Sequence, residues 1–388
     1  MKKFRLVVWL VLSLVLLPAA AGQAELSSQR EEPLSTLDLS TVQRYSEQLD
    51  AEIKVAVPSL DFKGMVTRLV KGDVSWKPEE ILKELFSLLF KEVVANFSLL
   101  GKLIVLAVIC AVLQNMLSAF DRGSTSRLAH AVTYLVLVTI AISSFALAVN
   151  AGREVVDNMV NFMQALLPVL LTLLVTVGGV TSAAIMSPAL LTVLALFGTM
   201  IKDFILPLLL FAAILGIMSN LTDRINVSNL AGLLNSVAMG ALGVFTTVFL
   251  GILALQGVAG AVGDSLTIRT AKFATDAFIP VVGGMFSDAL EAVVGTSLLI
   301  KNAVGIAGMV LIAAAMVTPL LKIITLAFIY KLSGALIQPI GDGQMVGCLN
   351  DLSKSLFLIF SAVATAGLLF FFSIAIVVGV GNITVMLR

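Results

Sequence analysis

The charged residues of this chain are concentrated in its first quarter, and this uneven distribution constrains the fold more than any other feature. Residues 1–98 hold 12 Lys and Arg and 13 Asp and Glu, whereas residues 99–388 hold only 13 and 11. With 59% hydrophobic residues overall, the long second part is too apolar for a water-soluble domain. The sequence therefore predicts an all-α, polytopic integral membrane protein behind a polar head.

The same composition argues against several functional classes. A net charge of +1 gives no reason to expect a nucleic-acid partner. One His and two Cys, Cys110 and Cys348, do not supply a zinc site or a disulfide scaffold. The chain also has no Gly-rich Lys-Ser/Thr loop for nucleotide phosphates. We therefore expect no enzyme, no catalytic or metal-binding residues and no cofactor, and any ATP-driven step would need a separate ATPase.

Residues 1–24 resemble an export signal. Lys2, Lys3 and Arg5 precede the apolar run 6–17, and small residues follow it at 18–24. This run is too short to span a bilayer comfortably, so we expect cleavage after Ala21 or Ala24. An uncleaved N-terminal anchor is the alternative, and both place the next segment outside the cytoplasm.

Residues 25–98 form the exported head. The Ser-, Glu- and Pro-rich segment 26–41 is typical of a flexible leader. From Pro78, acidic residues and then Leu82, Leu85, Phe86, Leu89 and Val93 at helical spacing predict an amphipathic helix that leads into the membrane. This helix either docks a partner or anchors the chain at the bilayer surface. The alternative is a helix that packs on its own membrane domain.

Residues 99–161 are predicted to contain the first pair of membrane helices, at 103–119 and 128–149. Their connecting loop carries Arg122 and Arg127, and an exported head places it in the cytoplasm, in agreement with the positive-inside rule. The polar stretch 150–164 then lies outside and is predicted to be a helix flat on the membrane. His130 is predicted to be an interfacial residue rather than a proton relay.

The remaining chain shows an internal duplication, with repeat A at 162–273 and repeat B at 274–388. Leu166-Leu-Pro168-Val matches Phe278-Ile-Pro280-Val, and Pro207-Leu-Leu matches Pro319-Leu-Leu at the same offset of 112. Gly232-Leu-Leu-Asn235 then matches Gly347-Cys-Leu-Asn350 at an offset of 115. Such repeats are common in membrane proteins that conduct or transport.

Each repeat is predicted to contain an interrupted hairpin, at 165–201 and at 277–317, followed by two spans. The predicted helix breaks are Pro168, Gly178, Gly179, Pro188, Pro207, Pro280, Gly283, Gly284 and Pro319. Lys202-Asp203 is predicted to close the first hairpin in a surface turn. Re-entrant hairpins give six spans and crossing hairpins give ten, and the sequence leaves both counts open.

Charged residues at membrane depth are the candidate functional positions, because charge in hydrocarbon costs on the order of 2.5–3.5 kcal/mol. Asp288 and Glu291 share one helix face, and Lys301 follows ten residues after Glu291. They either line a polar path or contact a partner, or they are solvated charges at the interface. Arg269 and Lys272 are predicted on an exposed helix face, which is a candidate contact for a partner.

The chain resembles the stage III sporulation protein AE family of endospore-forming bacteria. The resemblance rests on Leu266-Thr-Ile-Arg269-Thr-Ala-Lys272-Phe, Lys301-Asn302-Ala-Val-Gly305-Ile, Phe328-Ile-Tyr330-Lys331-Leu and Gly178-Gly179-Val-Thr-Ser-Ala-Ala, and it covers residues 80–388. It implies a multi-pass protein in the mother-cell-derived membrane around the forespore. Its implied partners are other membrane proteins of one channel-like or secretion-like complex, including a separate ATPase and a forespore partner.

Two function classes follow from these observations. The chain is a structural and conducting subunit of a multiprotein channel, with copies of itself as one further candidate partner, or it is a self-contained permease for a small solute. A symmetric carrier would carry matched polar residues in the two repeats. At the offset of 112, however, Asp288 and Glu291 correspond to Thr176 and Gly179. This asymmetry favours the channel subunit.

Overall fold

The structure, a computed structural model, describes residues 40, 42–44, 61–72, 78–119, 124–221, 227–278, 283–339 and 343–386. The all-α prediction is confirmed for these residues, which contain no strand. Their helices are α1 (Phe62–Lys71), α2 (Pro78–Ala95), α3 (Phe97–Ala119), α4 (Ser124–Thr176), α5 (Val180–Thr199), a π-helix (Met200–Ile205), α6 (Leu206–Leu221), α7 (Ser228–Phe278), α8 (Gly283–Ile337) and α9 (Gly343–Met386). The expected signal peptide at 1–24 lies outside the described residues.

The head contributes two helices that pack on the membrane domain. Asp61 caps α1 by accepting a hydrogen bond of 3.0 Å from the Gly64 N–H, and Phe62 and Val66 are fully buried. The amphipathic helix α2 begins at Pro78, as the sequence predicts. Both α1 and α2 contact α8, which agrees with the alternative in which the amphipathic helix packs on its own membrane domain. The Phe86 and Phe90 side chains of α2 nevertheless remain exposed.

Five stretches of the described residues are long and apolar enough to cross a membrane. They are Val138–Thr176, Val180–Asn220, Ser228–Thr267, Val293–Ile337 and Gly343–Ile383, and each has 39 to 45 residues. One crossing of a bilayer needs only about 20 residues, so these helices are about twice that length. The short segments on which the six-span and ten-span counts depended are therefore joined into long helices.

Helix α9 occupies the centre of the long helices. It contacts α4, α6, α7 and α8, and residues such as Ala362, Val363, Ala366 and Phe370 are completely buried. More than half of its most apolar segment is buried (56%), against 22% for α7. The small side chains of α9 let neighbouring helices approach closely, which is the usual basis of helix packing in membranes. The centre of the bundle is therefore filled with side chains, and α7 lies at its edge.

The first predicted hairpin differs from the structure in its extent. Helix α4 runs through Pro168 and joins the predicted span 128–149, the polar stretch 150–164 and the first hairpin arm into one helix, so that stretch is not a separate surface helix. Helix α5 likewise runs through Pro188. A proline inside a helix costs about 3 kcal/mol. Here tertiary packing outweighs this local cost, because Leu166, Leu167 and Leu190 are fully buried beside the two prolines.

The Lys202-Asp203 pair does not form the predicted surface turn. Both residues lie in the π-helix, and the chain stays helical from Val180 to Leu221, with Pro207 in the first turn of α6. The Lys202 ammonium lies 2.9 Å from the Asp157 carboxylate on α4. This ion pair holds the π-helix against α4. Lys202 therefore reaches its partner from within a helix and does not require a surface turn. Short π segments inside helices are frequent at functional sites.

The second predicted hairpin, 277–317, also becomes part of a longer helix. Gly283 and Gly284 begin α8, which continues through Pro319 to Ile337, while Pro280 lies outside the described residues. The starts of the two proposed repeats therefore differ in structure. Leu166 lies inside α4, whereas the corresponding Phe278 is the last residue of α7. Gly232 and Gly347 do occupy matching places, since each is the fifth residue of its helix, α7 or α9. The duplication stays a prediction, and its boundaries at 161/162 and 273/274 fall inside α4 and α7.

Candidate functional site

The turn between α4 and α5 organises a layer of buried polar groups. Gly178 has a φ of 96°, a left-handed conformation that favours glycine. The Gly178 and Gly179 N–H groups donate to the carbonyls of Val175 and Leu174 at 2.9 and 2.8 Å, which ends α4. Helix α5 starts at once at Val180, so its first N–H groups have no hydrogen-bond partner within their own helix.

Asp264 of α7 supplies the cap that α5 lacks in its own sequence. Its carboxylate accepts a hydrogen bond of 2.7 Å from the Thr181 N–H and bonds of 3.2 and 3.3 Å from the Ser182 N–H. Asp264 is 1% exposed and Ser182 is fully buried. A negative charge at a helix N-terminus is favourable because the exposed N–H groups carry partial positive charge. This contact fixes the start of α5 to α7.

A close approach of the two backbones makes this cap possible. A Cβ atom on Gly260 would lie 2.5 Å from Ser182 Oγ and 2.8 Å from its Cα, so α7 needs glycine one turn before Asp264. The Ser182 hydroxyl itself has no hydrogen-bond partner within the described part of the chain, although its Oγ is inaccessible. A buried hydroxyl without a partner is costly, so the Ser182 hydroxyl is a hydrogen-bonding group of this layer that stays unsatisfied.

Lys301 is the buried cation of the same layer. Its side chain is fully buried, and its ammonium donates a hydrogen bond of 2.7 Å to the Val378 carbonyl near the end of α9. Among the described residues, no carboxylate forms an ion pair with Lys301. The fold therefore keeps a cation among apolar helices at considerable cost.

Leu174 connects the two charged groups. Its Cδ1 atom would lie 2.7 Å from a Cβ on Gly179 and 3.1 Å from a Cβ on Gly381. Gly381 in turn packs directly against the Lys301 ammonium, and the absence of a side chain there is what leaves room for it. The anion on α7, the cation on α8, the turn after α4 and the end of α9 thus meet in one layer, which we call the charged layer.

Further polar contacts lie along the bundle. Lys202, which pairs with Asp157, lies 21 residues after Thr181, and this separation corresponds to about 31 Å of helix. At the far end, the Asn220 amide donates to Asp351 at 2.9 Å, Asp351 pairs with Lys354, and Lys331 donates to Asn350 at 2.9 Å. The contact between Asn220 and Asp351 therefore places the end of α6 beside the first turns of α9.

Of the five charged residues proposed from the sequence, the structure locates one side chain. Lys301 belongs to the charged layer. Arg269 and Lys272 lie in the last turns of α7, and Asp288 and Glu291 lie in the first turns of α8, with their side chains outside the described part. Sequence reasoning missed Asp264. Its available signal was a lone carboxylate directly after the apolar, Gly-rich stretch 251–263, where a charge needs a structural reason.

The long apolar helices and their buried charges define a polytopic helical membrane protein. Comparison with known proteins then specifies the family. The family model described as stage III sporulation protein AE matches residues 60–381. The chain is also 40% identical to Stage III sporulation protein AE of Bacillus subtilis (strain 168), over 403 aligned positions that cover 100% of both chains. No solved structure matches.

The chain belongs to the stage III sporulation protein AE family. The family resemblance inferred from the sequence motifs is therefore confirmed. This is a family of sporulation proteins and is not known as an enzyme family, which agrees with the expectation from composition. The charged layer lies inside the matched region, since Gly178, Asp264, Lys301 and Gly381 all fall within residues 60–381.

Proposed function

We propose that this protein is a multi-pass membrane subunit of a channel or secretion-like complex that connects the mother cell with the forespore. It resides in the mother-cell-derived membrane around the forespore and supports late forespore development. The observation that carries the proposal is full-length similarity at 40% identity to a stage III sporulation protein, in a chain with five long apolar helices. Its partners are the other membrane proteins of the complex, a separate ATPase and a forespore protein.

The charged layer supports a role in conduction or assembly. Asp264 and Lys301 are almost fully buried and do not form an ion pair with each other. Each is instead held by hydrogen bonds to backbone groups of another helix. Such isolated charges are expensive in a membrane domain and usually serve a function. In a subunit of a complex, they fix the relative positions of α5, α7, α8 and α9 at the end of the bundle.

The alternative is a self-contained permease for a small solute. A carrier built from two equivalent repeats would place matched polar groups in both. At the offset of 115 that applies after Gly232, however, Asp264 corresponds to Gly379, and at the offset of 112 Lys301 corresponds to Ala189. The buried charges therefore share the asymmetry of Asp288 and Glu291. This difference favours the channel subunit over a symmetric carrier.

Co-purification distinguishes the two functions. The affinity-tagged full-length protein would be isolated in mild detergent from sporulating cells and from vegetative cells that express it artificially, and the retained proteins would be identified by mass spectrometry. A complex subunit retains sporulation membrane proteins and an ATPase in the first sample only. A protein that is isolated alone from both samples, and that transports a solute in liposomes by itself, would support the permease.

A further inference from the structure

The outward faces of α4 and α7 differ sharply in polarity. On α4, Asn150, Glu154, Asn158, Asn161 and Gln164 recur at spacings of three or four residues, and all are exposed. They occupy one side of the helix, because residues at this spacing lie on one face. The opposite side carries buried apolar residues such as Val156, Met159 and Phe162. We call the exposed series the polar face of α4.

The outward face of α7 is apolar over a comparable length. Val244, Val248, Leu255, Val258 and Val262 are 52 to 74% exposed, and each suits contact with lipid. The polar face of α4 does not suit it. An ionised Glu154 in hydrocarbon would cost on the order of 2.5–3.5 kcal/mol, and each unpaired amide would add to that cost.

Contacts inside the bundle place the two faces at the same height. Val160 of α4 packs directly on Gly198 of α5, and the Phe197 ring of α5 lies 5.3 Å from the Phe249 ring of α7. Asn161 and Val248 are the exposed neighbours of Val160 and Phe249. Both helices then run toward the charged layer. One turn earlier, Asn158 and Val244 form a second exposed pair at closely similar depth, because the steps back of three and four residues correspond to about 4.5 and 6 Å of helix. At one depth, the molecule is therefore polar on one flank and apolar on the other.

The centre of the single bundle offers no place for the water that the polar face requires. Residues Ala362, Val363 and Ala366 of α9 fill the axis and are completely buried. Water must therefore lie outside this chain, between it and another surface. Amides carry both donors and acceptors, so a face built mainly from Asn and Gln is complementary to a copy of itself across a hydrated gap.

We infer that several copies of this chain assemble with the polar face of α4 turned toward a shared, water-filled lumen and with α7 turned toward lipid. This inference rests on the proposed function and adds the surface that conducts. Asp157 lies on the same face and is paired with Lys202, and Arg153 lies at the edge of the face beside Glu154, so the charges of the face are nearly balanced. Such a lining, built mainly from neutral amides, suits small polar solutes.

The test measures which flank is wet. Cys110 and Cys348 would be replaced by alanine, and single cysteines at Asn161, Asn158, Val248 and Val244 would carry a nitroxide in the full-length chain in phosphatidylethanolamine and phosphatidylglycerol liposomes. Collisions with a water-soluble nickel complex and with lipid-soluble oxygen report the surroundings of each nitroxide. We expect collisions with nickel to dominate at Asn161 and Asn158, and collisions with oxygen to dominate at Val248 and Val244.

The number of chains is measured on the same protein by native mass spectrometry from detergent, where we expect two or more copies. Four lipid-exposed sites, four water-exposed sites, or a single chain would each overturn the inference. Four water-exposed sites would be decisive because the compared sites lie at matched heights. That result would show that this segment lies outside the bilayer, where both flanks contact water. None of these measurements involves sporulation, so a failure here is distinguishable from a failure of the proposed cellular function.

Discussion

The carboxylate of Asp264 accepts a hydrogen bond of 2.7 Å from the backbone N–H of Thr181, a residue 83 positions earlier in the chain. This contact links the edge helix α7 to the start of α5 at the point where the chain turns through Gly178. It combines a helix cap with a buried charge, two features that are usually separate. Its removal should therefore affect both stability and the geometry of the charged layer.

Replacement of Asp264 tests this cap. Asp264→Ala leaves the Thr181 and Ser182 N–H groups buried and unpaired, and each unpaired donor costs about 1–3 kcal/mol. We expect the midpoint of thermal unfolding in detergent to fall clearly, and to fall less for Asp264→Asn, whose amide oxygen still accepts one bond. Asp203→Asn, at an exposed carboxylate in the π-helix, is the control. Equal midpoints for the alanine variant and the control would contradict the structural role of Asp264.

Gly381 tests the environment of Lys301. A methyl group in Gly381→Ala would occupy the space of the Lys301 ammonium and displace it from the Val378 carbonyl, so we expect a less stable protein. The same substitution should cost less in a Lys301→Met background, because an uncharged and flexible side chain can shift. Gly379→Ala is the matched control, since a Cβ at Gly379 meets no atom within 4 Å. Equal losses of thermal midpoint in the wild-type and the Lys301→Met backgrounds would be inconsistent with this packing.

The pair of Lys202 and Asp157 is tested by charge reversal. Each single reversal, Lys202→Asp or Asp157→Lys, places like charges together where α4 meets the π-helix and should lower the thermal midpoint. The double reversal restores opposite charges and should recover part of the loss, as a double-mutant cycle would show. Because both side chains are partly exposed, the recovered stability should be modest and should decrease in high salt. Strictly additive losses would remove this pair from the account.

Membrane orientation is tested by labelling of single cysteines. In a chain whose two native cysteines are replaced, Ser46→Cys in the head should react with an impermeant thiol reagent added outside the producing cell. Ser124→Cys, at the start of α4 beside the basic loop, should react only after the cells are opened, because that loop is predicted in the cytoplasm. Labelling of Ser124→Cys from outside would reverse the orientation of every later helix.

Asp288 and Glu291 stay a prediction that function can test. If they line a polar path or contact a partner, the double variant Asp288→Asn with Glu291→Gln should lower the spore count while the protein still accumulates in the membrane. Near-isosteric amides preserve packing and do not raise the insertion cost, so loss of the protein itself is not expected. A double variant that sporulates like the wild type would show that both charges are merely solvated, as most surface charges are.

Local sequence signals predicted the elements that depend on local chemistry. Pro78 marks the start of α2, because proline is suited to the first turn of a helix, and Gly178 marks the turn after α4, because it adopts a positive φ. The prolines at 168 and 188 were overrated as breaks. Their effect depends on the helices packed around them, and the sequence does not show these neighbours.

The charged layer illustrates a second limit. Lys301 was found because a lone cation in an apolar segment is conspicuous, but its partner is a backbone carbonyl at Val378, which no side-chain pattern encodes. Asp264 was missed because it directly precedes the polar segment 265–272, and because its partners are backbone N–H groups far away in sequence. Long-range contacts to the backbone are set by helix packing alone.

The most direct measurement of the central claim is the spore count of a strain that lacks this gene, with and without a restored wild-type copy. We predict that engulfment of the forespore is largely complete in the deletion strain, that later forespore development stops, and that the wild-type copy restores heat-resistant spores. Fluorescence microscopy of the membranes follows engulfment in the same cells. A normal yield of heat-resistant spores in the deletion strain would contradict the account.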